Sequence, residues 1–125
     1  MRPDGESKFI AIVDDDGSMR SALQGLLKAV GLSSRAFESA EDFLRSGHQR
    51  ETACLIADIR MPGMSGLELQ ARLNAERCRI PTIFITAHGD EEMRLQALRA
   101  GAVEFLPKPF DDEVLVESVR AALDR

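Results

Sequence analysis

The sequence predicts an α/β fold, a doubly wound (βα)5 domain on a five-stranded parallel sheet, and three observations carry that reading. Five short apolar runs alternate with longer segments of helical period, the pattern of strands joined by crossover helices. The runs FIAIV (9–13), ACLIAD (53–58) and TIFIT (82–86) are apolar almost throughout, as strands covered on both faces must be. The chain has 125 residues, the size of one domain with one core. The second run, SSRAF (33–37), is more polar and suits a sheet edge, which places strand one in the interior; the fifth is VEFL (103–106).

The segments between them carry helix punctuation. The first helix is predicted to start near Ser18 as N-cap, to carry Met19, Leu23, Leu26, Leu27 and Val30 on one face, and to stop at Gly31. Ser39 caps a short second helix containing Phe43 and Leu44, which Gly47 terminates. Ser65 or Gly66 opens a third, with Leu69 and Leu73 inward. The fourth runs from Asp90 to Ala100 and Gly101, with Met93 and Ala97 toward the sheet and Leu95 or Leu98 outward. The fifth starts at Asp111 and buries Leu115, Val116, Val119 and Leu123. Repeats, low-complexity tracts and linkers are absent from the sequence, and the first seven residues read as a tail before a domain spanning 8–125.

Composition removes several function classes. A net charge of -5 with dispersed Lys and Arg, and six Phe without Trp or Tyr, argue against direct nucleic-acid binding, which needs clustered cations and stacking platforms. Cys54 and Cys78 lack CxxC spacing and a paired-His pattern, so they read as reduced structural thiols. The stretch MRPDGESK has no signal-peptide core, and no apolar run approaches membrane-spanning length. These features predict a cytoplasmic protein with no membrane partner.

In an open α/β sheet, ligands bind beyond the carboxyl ends of the strands. There the sequence sets Asp14 and Asp15 after strand one, Asp58 at the end of strand three, Thr86 at the end of strand four and Lys108 after strand five. Converging carboxylates repel one another unless a proton or cation intervenes. They suit a hard divalent cation, Mg2+ or Mn2+, which takes oxygen ligands and keeps positions for a phosphoryl oxygen. Lys108 and Thr86 supply an ammonium and a hydroxyl for phosphoryl oxygens, and phosphoryl transfer asks mainly for positioning and charge neutralisation. One carboxylate is then left as nucleophile.

The stretches IVDDD, ADIRMPGMSGLEL, IFITAHGD and AGAVEFLPKPF resemble, in order and spacing, the receiver domain of two-component response regulators. The resemblance runs from about Lys8 to the C-terminus and is strongest to FixJ-like receivers joined to a LuxR-type helix-turn-helix output. It implies the flavodoxin/CheY-like strand order 2-1-3-4-5, a bacterial phosphorelay and a sensor histidine kinase that phosphorylates Asp58. In this family Asp14 and Asp15 organise magnesium, with oxygens from Asp15 and Asp58 and the backbone carbonyl of Arg60. Thr86 corresponds to the switch hydroxyl, Lys108 to the phosphoryl-binding lysine and Phe105 to the switch aromatic. The Lys108–Pro109 bond is expected to be cis. Arg60 and His88 occupy variable positions flanking the path of attacking water, where bulk slows hydrolysis of the phosphoryl group. The implied activity is that of a switch with autophosphatase activity only, controlling a DNA-binding output that this chain lacks. The surface of the fourth helix, fifth strand and fifth helix is a candidate face for a homodimer or for that output.

The stretch IVDDDGSM also resembles the first motif of haloacid dehalogenase-type phosphatases. There Asp14 is the nucleophile, Asp16 the acid-base, and Thr86 and Lys108 the second and third motifs. That alternative leaves no room for a cap and no task for Asp58. A pseudo-receiver serving only as an interaction module would lack one or more of Asp14, Asp15, Asp58, Thr86 and Lys108, and all are present. Asp16 alone reads as a solvated or helix-capping carboxylate, and His48 as a surface loop residue.

Overall fold

The computed structural model describes residues 8–124. The tail at residues 1–7 lies outside the described residues. The chain runs β1 (Phe9–Val13), α1 (Gly17–Ala29), β2 (Ser34–Phe37), α2 (Ala40–Ser46), a 3-10 turn (Gln49–Glu51), β3 (Thr52–Asp58), α3 (Gly66–Ala75), β4 (Thr82–Thr86), α4 (Glu91–Arg99), β5 (Glu104–Pro107) and α5 (Asp112–Leu123). All neighbouring strands pair in parallel, in the order β2-β1-β3-β4-β5. The polar β2 is an edge and β1 is interior, as its composition requires.

Alternation along the strands divides the core in two. Phe9, Ala11, Val13, Leu55, Ala57 and Phe84 face α2, α3 and α4, packing with Phe43, Leu69, Leu73 and Ala97. Ile10, Ile12, Cys54, Ile56, Ile83 and Ile85 face α1 and α5, packing with Leu23, Leu27, Leu115 and Val119. Burying each such leucine or isoleucine stabilises the fold by about 1.5–3 kcal/mol, so the sheet is a rigid platform for whatever its carboxyl ends carry.

Several local details differ from expectation. The cap of α1 is Asp16, whose carboxylate accepts from the amide of Ser18; Ser18 lies one residue inside the helix. A carboxylate outcompetes the serine here because its position has extended backbone and its charge meets the positive end of the helix. In α5, Ala122 is buried and Leu123 is exposed, with Val116 half-buried, so the inward stripe is Leu115, Val119 and Ala122. That spacing of four and three keeps one face, which Leu123 leaves. The fifth strand begins one residue later than predicted and takes in Pro107. Ser39, Ser65, Asp90 and Asp111 cap their helices as expected, Ser65 within a reciprocal capping box with Glu68.

Helix α4 buries only Ala97; Met93, Leu95 and Leu98 are half-buried. Two side chains of α3 fasten its C-terminal end. Gln70 Nε2 donates to the Ala97 carbonyl at 3.1 Å, and Asn74 Nδ2 to the Ala100 carbonyl at 2.9 Å. These occupy carbonyls that a helix leaves without intrahelical partners. His48, expected as a surface loop residue, lies in the loop just before the 3-10 turn and is half-buried. Nδ1 of its ring faces Glu51 and Nε2 faces the Arg35 guanidinium, with its plane edge-on to Phe9. No helix among the described residues is long and apolar enough to cross a membrane.

Candidate functional site

The parallel register brings the expected residues to one end of the sheet. Val13 pairs with Ala57, so Asp14 emerges beside Asp58; Asp58 is opposite Ile85, and Thr86 is opposite Pro107, one residue before Lys108. Asp14, Asp15 and Asp58 each offer a carboxylate oxygen, all within 4.8 Å of one another. Asp14 and Asp58 are buried and Asp15 is exposed, so the cluster opens to solvent on one side.

Lys108 joins the two buried carboxylates. Its Nζ donates to Asp14 Oδ2 and to Asp58 Oδ2, both at 3.0 Å, and its side chain is only 15% exposed. Burial works against its charge, but the hydrogen bonds it donates to Asp14 and Asp58 prevail and hold the ammonium above its ordinary value. Burial pushes the Asp14 carboxyl above the usual carboxylate range, opposed by the Asp16 amide and by Lys108. The Lys108–Pro109 bond is cis, and the Lys108 amide donates to the Thr86 carbonyl at 2.9 Å.

The remaining site residues sit around this ion cluster. Asp58 Oδ1 accepts from the amide of Arg60 at 3.2 Å. The exposed Arg60 guanidinium reaches 3.4 Å from the carbonyl of His88, the residue two beyond Thr86. Thr86 is 1% exposed, and its Oγ1 has no hydrogen-bond partner among the described residues. A buried hydroxyl without a partner is costly and marks a place where an acceptor is wanted. Phe105 is half-buried next to Thr86, both lying against Gly89.

Three contacts escaped sequence reasoning. Gly89 has no side chain because a Cβ there would stand 2.7 Å from Thr86 Cγ2 and 2.8 Å from Phe105 Cζ. Gly66, expected only as a candidate start of the third helix, lies against the carbonyl of Asp58, which a Cβ would approach to 2.4 Å. Arg20 Nη1 donates to the Asp14 carbonyl at 2.8 Å, fixing the acidic loop from α1. The glycines carried the only signal, because a glycine beside a reactive residue often marks close backbone approach. Nothing in the spacing of Arg20 singled it out.

The residues fit a hard divalent cation by their chemistry. The oxygens converge, one carboxylate is open to solvent, and Asp14 is raised by burial in a way a cation would reverse. The same geometry disfavours the phosphatase alternative. Asp16, its acid-base, is spent on the α1 cap, and the ammonium bridges Asp14 to Asp58.

Comparison with known proteins agrees with this geometry. The family model for the response regulator receiver domain matches residues 10–120. Nodulation protein W of Bradyrhizobium diazoefficiens is 47% identical over 117 residues, covering 94% of this chain and 52% of the relative. Response regulator protein TodT of Pseudomonas putida is 46% identical with the same coverages. Transcriptional regulatory protein FixJ of Azorhizobium caulinodans is 42% identical over 120 residues, 96% of this chain and 57% of the relative. The chain thus spans about half the length of the curated relatives it matches. The crystal structure of FixJ-N superposes with a TM-score of 0.85 at 39% identity, covering 94% of both chains.

Proposed function

This chain belongs to the receiver-domain family of two-component response regulators, and from that premise we propose that Asp58 accepts a phosphoryl group from a sensor histidine kinase. The observation that carries the proposal is the environment of Asp58: an ammonium at 3.0 Å and, at the end of the neighbouring strand, a buried hydroxyl without a partner among the described residues. In the transfer an Asp58 carboxylate oxygen attacks phosphorus and the P–N bond of the donor phosphohistidine breaks. The bonding pair leaves with the imidazole, which takes up a proton. A receiver is a signalling switch, so the acid-labile acyl phosphate is the message and its hydrolysis ends it.

Asp14, Asp15, Asp58 and the Arg60 backbone carbonyl are the residues that would hold Mg2+ or Mn2+, which when bound neutralises charge on the transferring group. Lys108 releases its contact with Asp58 to meet a phosphoryl oxygen while keeping Asp14. The Thr86 hydroxyl donates to another phosphoryl oxygen, and in turning vacates the space that Phe105 fills. Two packings of the same residues thus exchange population, with phosphoryl contacts favouring one. Phe105 has no phenolic oxygen, so its inward position leaves no buried donor unmatched. The Arg60 guanidinium, held toward the His88 carbonyl, lies across the approach of water and slows the autophosphatase reaction.

The domain is assigned to residues 8–125 of a cytoplasmic regulator. Its output is a LuxR-type helix-turn-helix module, a reading supported by the transcriptional regulatory role that the name of its relative FixJ carries. The face of α4, β5 and α5, with exposed Val114 and half-buried Leu95 and Leu98, is assigned to homodimer or output contacts. The test is incubation with acetyl phosphate and magnesium followed by intact mass. One labile phosphoryl group, absent from Asp58→Asn, is expected. Labelling that survives Asp58→Asn but not Asp14→Asn would overturn the assignment.

A further inference from the structure

The loop of residues 59–65 leaves the carboxyl end of β3 directly after Asp58 and carries Arg60. Its far end is fixed: Gly66 donates its amide to the Ile59 carbonyl at 2.9 Å, and Ser65 and Glu68 form the capping box of α3. Its middle is held from outside. Glu41, in the first turn of α2, accepts from the Met64 amide through Oε2 at 2.8 Å. The carboxylate lies so close that a Cβ on Gly63 would come within 2.6 Å of the same oxygen. Gly63 also has φ of +77°, a conformation that L side chains disfavour. The bare, left-handed glycine therefore serves two ends at once, turning the chain and admitting the carboxylate. The Met64 amide, and then Glu41's own backbone amide, hold the Glu41 carboxyl below its ordinary value. Met61 and Met64 pack into the same core layer as Phe43 of α2, so loop and helix share one packed face.

We propose that Glu41 is a positioning residue for the phosphorylation site: its carboxylate latches the loop from α2, setting the backbone on which Arg60 presents its carbonyl to the divalent cation. The inference rests on the metal and phosphoacceptor reading given above. Glu41 touches no reacting atom. Its removal weakens the cation and slows phosphorylation at low cation concentration, while leaving the rate at saturating cation near that of the wild type.

The experiment is a Mg2+ titration followed by backbone amide NMR on the wild type, Glu41→Ala, Glu41→Gln and Phe43→Leu. The amide exchange of Met64 and thermal stability are measured in parallel. Glu41→Ala should raise the Mg2+ dissociation constant roughly tenfold, the low end of what partners outside the ligand sphere contribute, and speed Met64 exchange. Glu41→Gln, whose amide oxygen still accepts from Met64, should recover most of the affinity. Phe43→Leu, which trims the packing shared by α2 and the loop but keeps both groups of the Glu41–Met64 hydrogen bond, should lower stability and leave the dissociation constant alone. If Glu41→Ala loses stability but binds Mg2+ as the wild type does, or if Phe43→Leu weakens Mg2+ equally, the latch is structural only and the proposal fails. If wild-type amides near Asp58 do not respond to Mg2+ at all, the underlying metal reading fails, a distinct result. Should Glu41→Ala not fold, Glu41→Asp, which retracts the carboxylate by one methylene, reads the same contrast.

Discussion

Replacing Gly89 with alanine adds one methyl where Thr86 and Phe105 meet, and the structure sets the size of the effect. Gly89 lies outside the left-handed region, so the substitution strains no backbone dihedral and acts through volume alone. The new carbon would stand 2.7 Å from Thr86 Cγ2 and 2.8 and 2.9 Å from Phe105 Cζ and Cε1. Carbon atoms pack at about 3.5–4.0 Å, so the ring and the methyl must withdraw by close to 1 Å. Overpacking of this kind costs about 1–3 kcal/mol, which corresponds to roughly 5- to 150-fold against the packing in which Phe105 rests on Gly89. Any packing with the ring moved away escapes that penalty, so the alanine should shift the unphosphorylated protein toward it. Methyl and aromatic NMR read the shift directly, with the Thr86 methyl and Phe105 ring resonances moving toward those of the phosphorylated wild type. A double-mutant cycle with Phe105→Leu should couple by at least about 0.5 kcal/mol, as groups in contact do. Spectra that superimpose on the unphosphorylated wild type, with an unchanged urea midpoint and additive mutations, would refute the reasoning.

Other parts of the molecule make equally definite demands. Lys108→Met leaves Asp14 and Asp58 adjacent, buried and without their shared cation; it should destabilise the metal-free protein by about 3–5 kcal/mol, a deficit that millimolar Mg2+ reduces in urea denaturation, and a deficit indifferent to Mg2+ would contradict the charge argument. Cys54 is fully buried and its thiol is pushed up to about 12 by burial, so native protein at pH 8 should leave it unmodified by iodoacetamide and denatured protein should not. The Glu41 carboxyl is lowered on folding from an ordinary value of 4.5, so the unfolded chain binds its proton first and the latch contributes fully above that pH. The contribution is lost as pH falls through the folded value; the stability difference between wild type and Glu41→Gln should therefore shrink in acid-range denaturation series and stay flat above pH 6.

The sheet was legible because central strands must be apolar on both faces and because its connections carry explicit caps. The acidic cluster was legible because buried like charges have few explanations other than a cation. What stayed hidden depends on which backbone atoms approach one another in space. Asp16 and Ser18 are both acceptable caps, and only the turn after β1 decides between them. Leu123 and Ala122 are equally compatible with a helix end, and the helix phase, set by packing on β3 and β4, turns the larger side chain outward. The contacts of the loop residue His48 were hidden because its partners, Phe9 and Arg35, are distant in sequence and brought together by strand pairing. The Glu41 latch was illegible for the same reason: 23 residues separate donor from acceptor, and neither stretch alone suggests the contact.

The two amides of α3 that hold the tail of α4 give that helix the mechanics of a hinged rod. Its last turn is pinned through the Ala97 and Ala100 carbonyls, while its first turn begins two residues after Gly89 and is capped by its own Asp90. A nine-residue helix is about 13.5 Å long at 1.5 Å per residue. A push of 1 Å at its free end therefore appears as a tilt of about 4°, largest beside Thr86 and vanishing at the pins. A displacement begun beside Thr86 would thus reach the outer surface as a change of angle spread over the whole length of the helix.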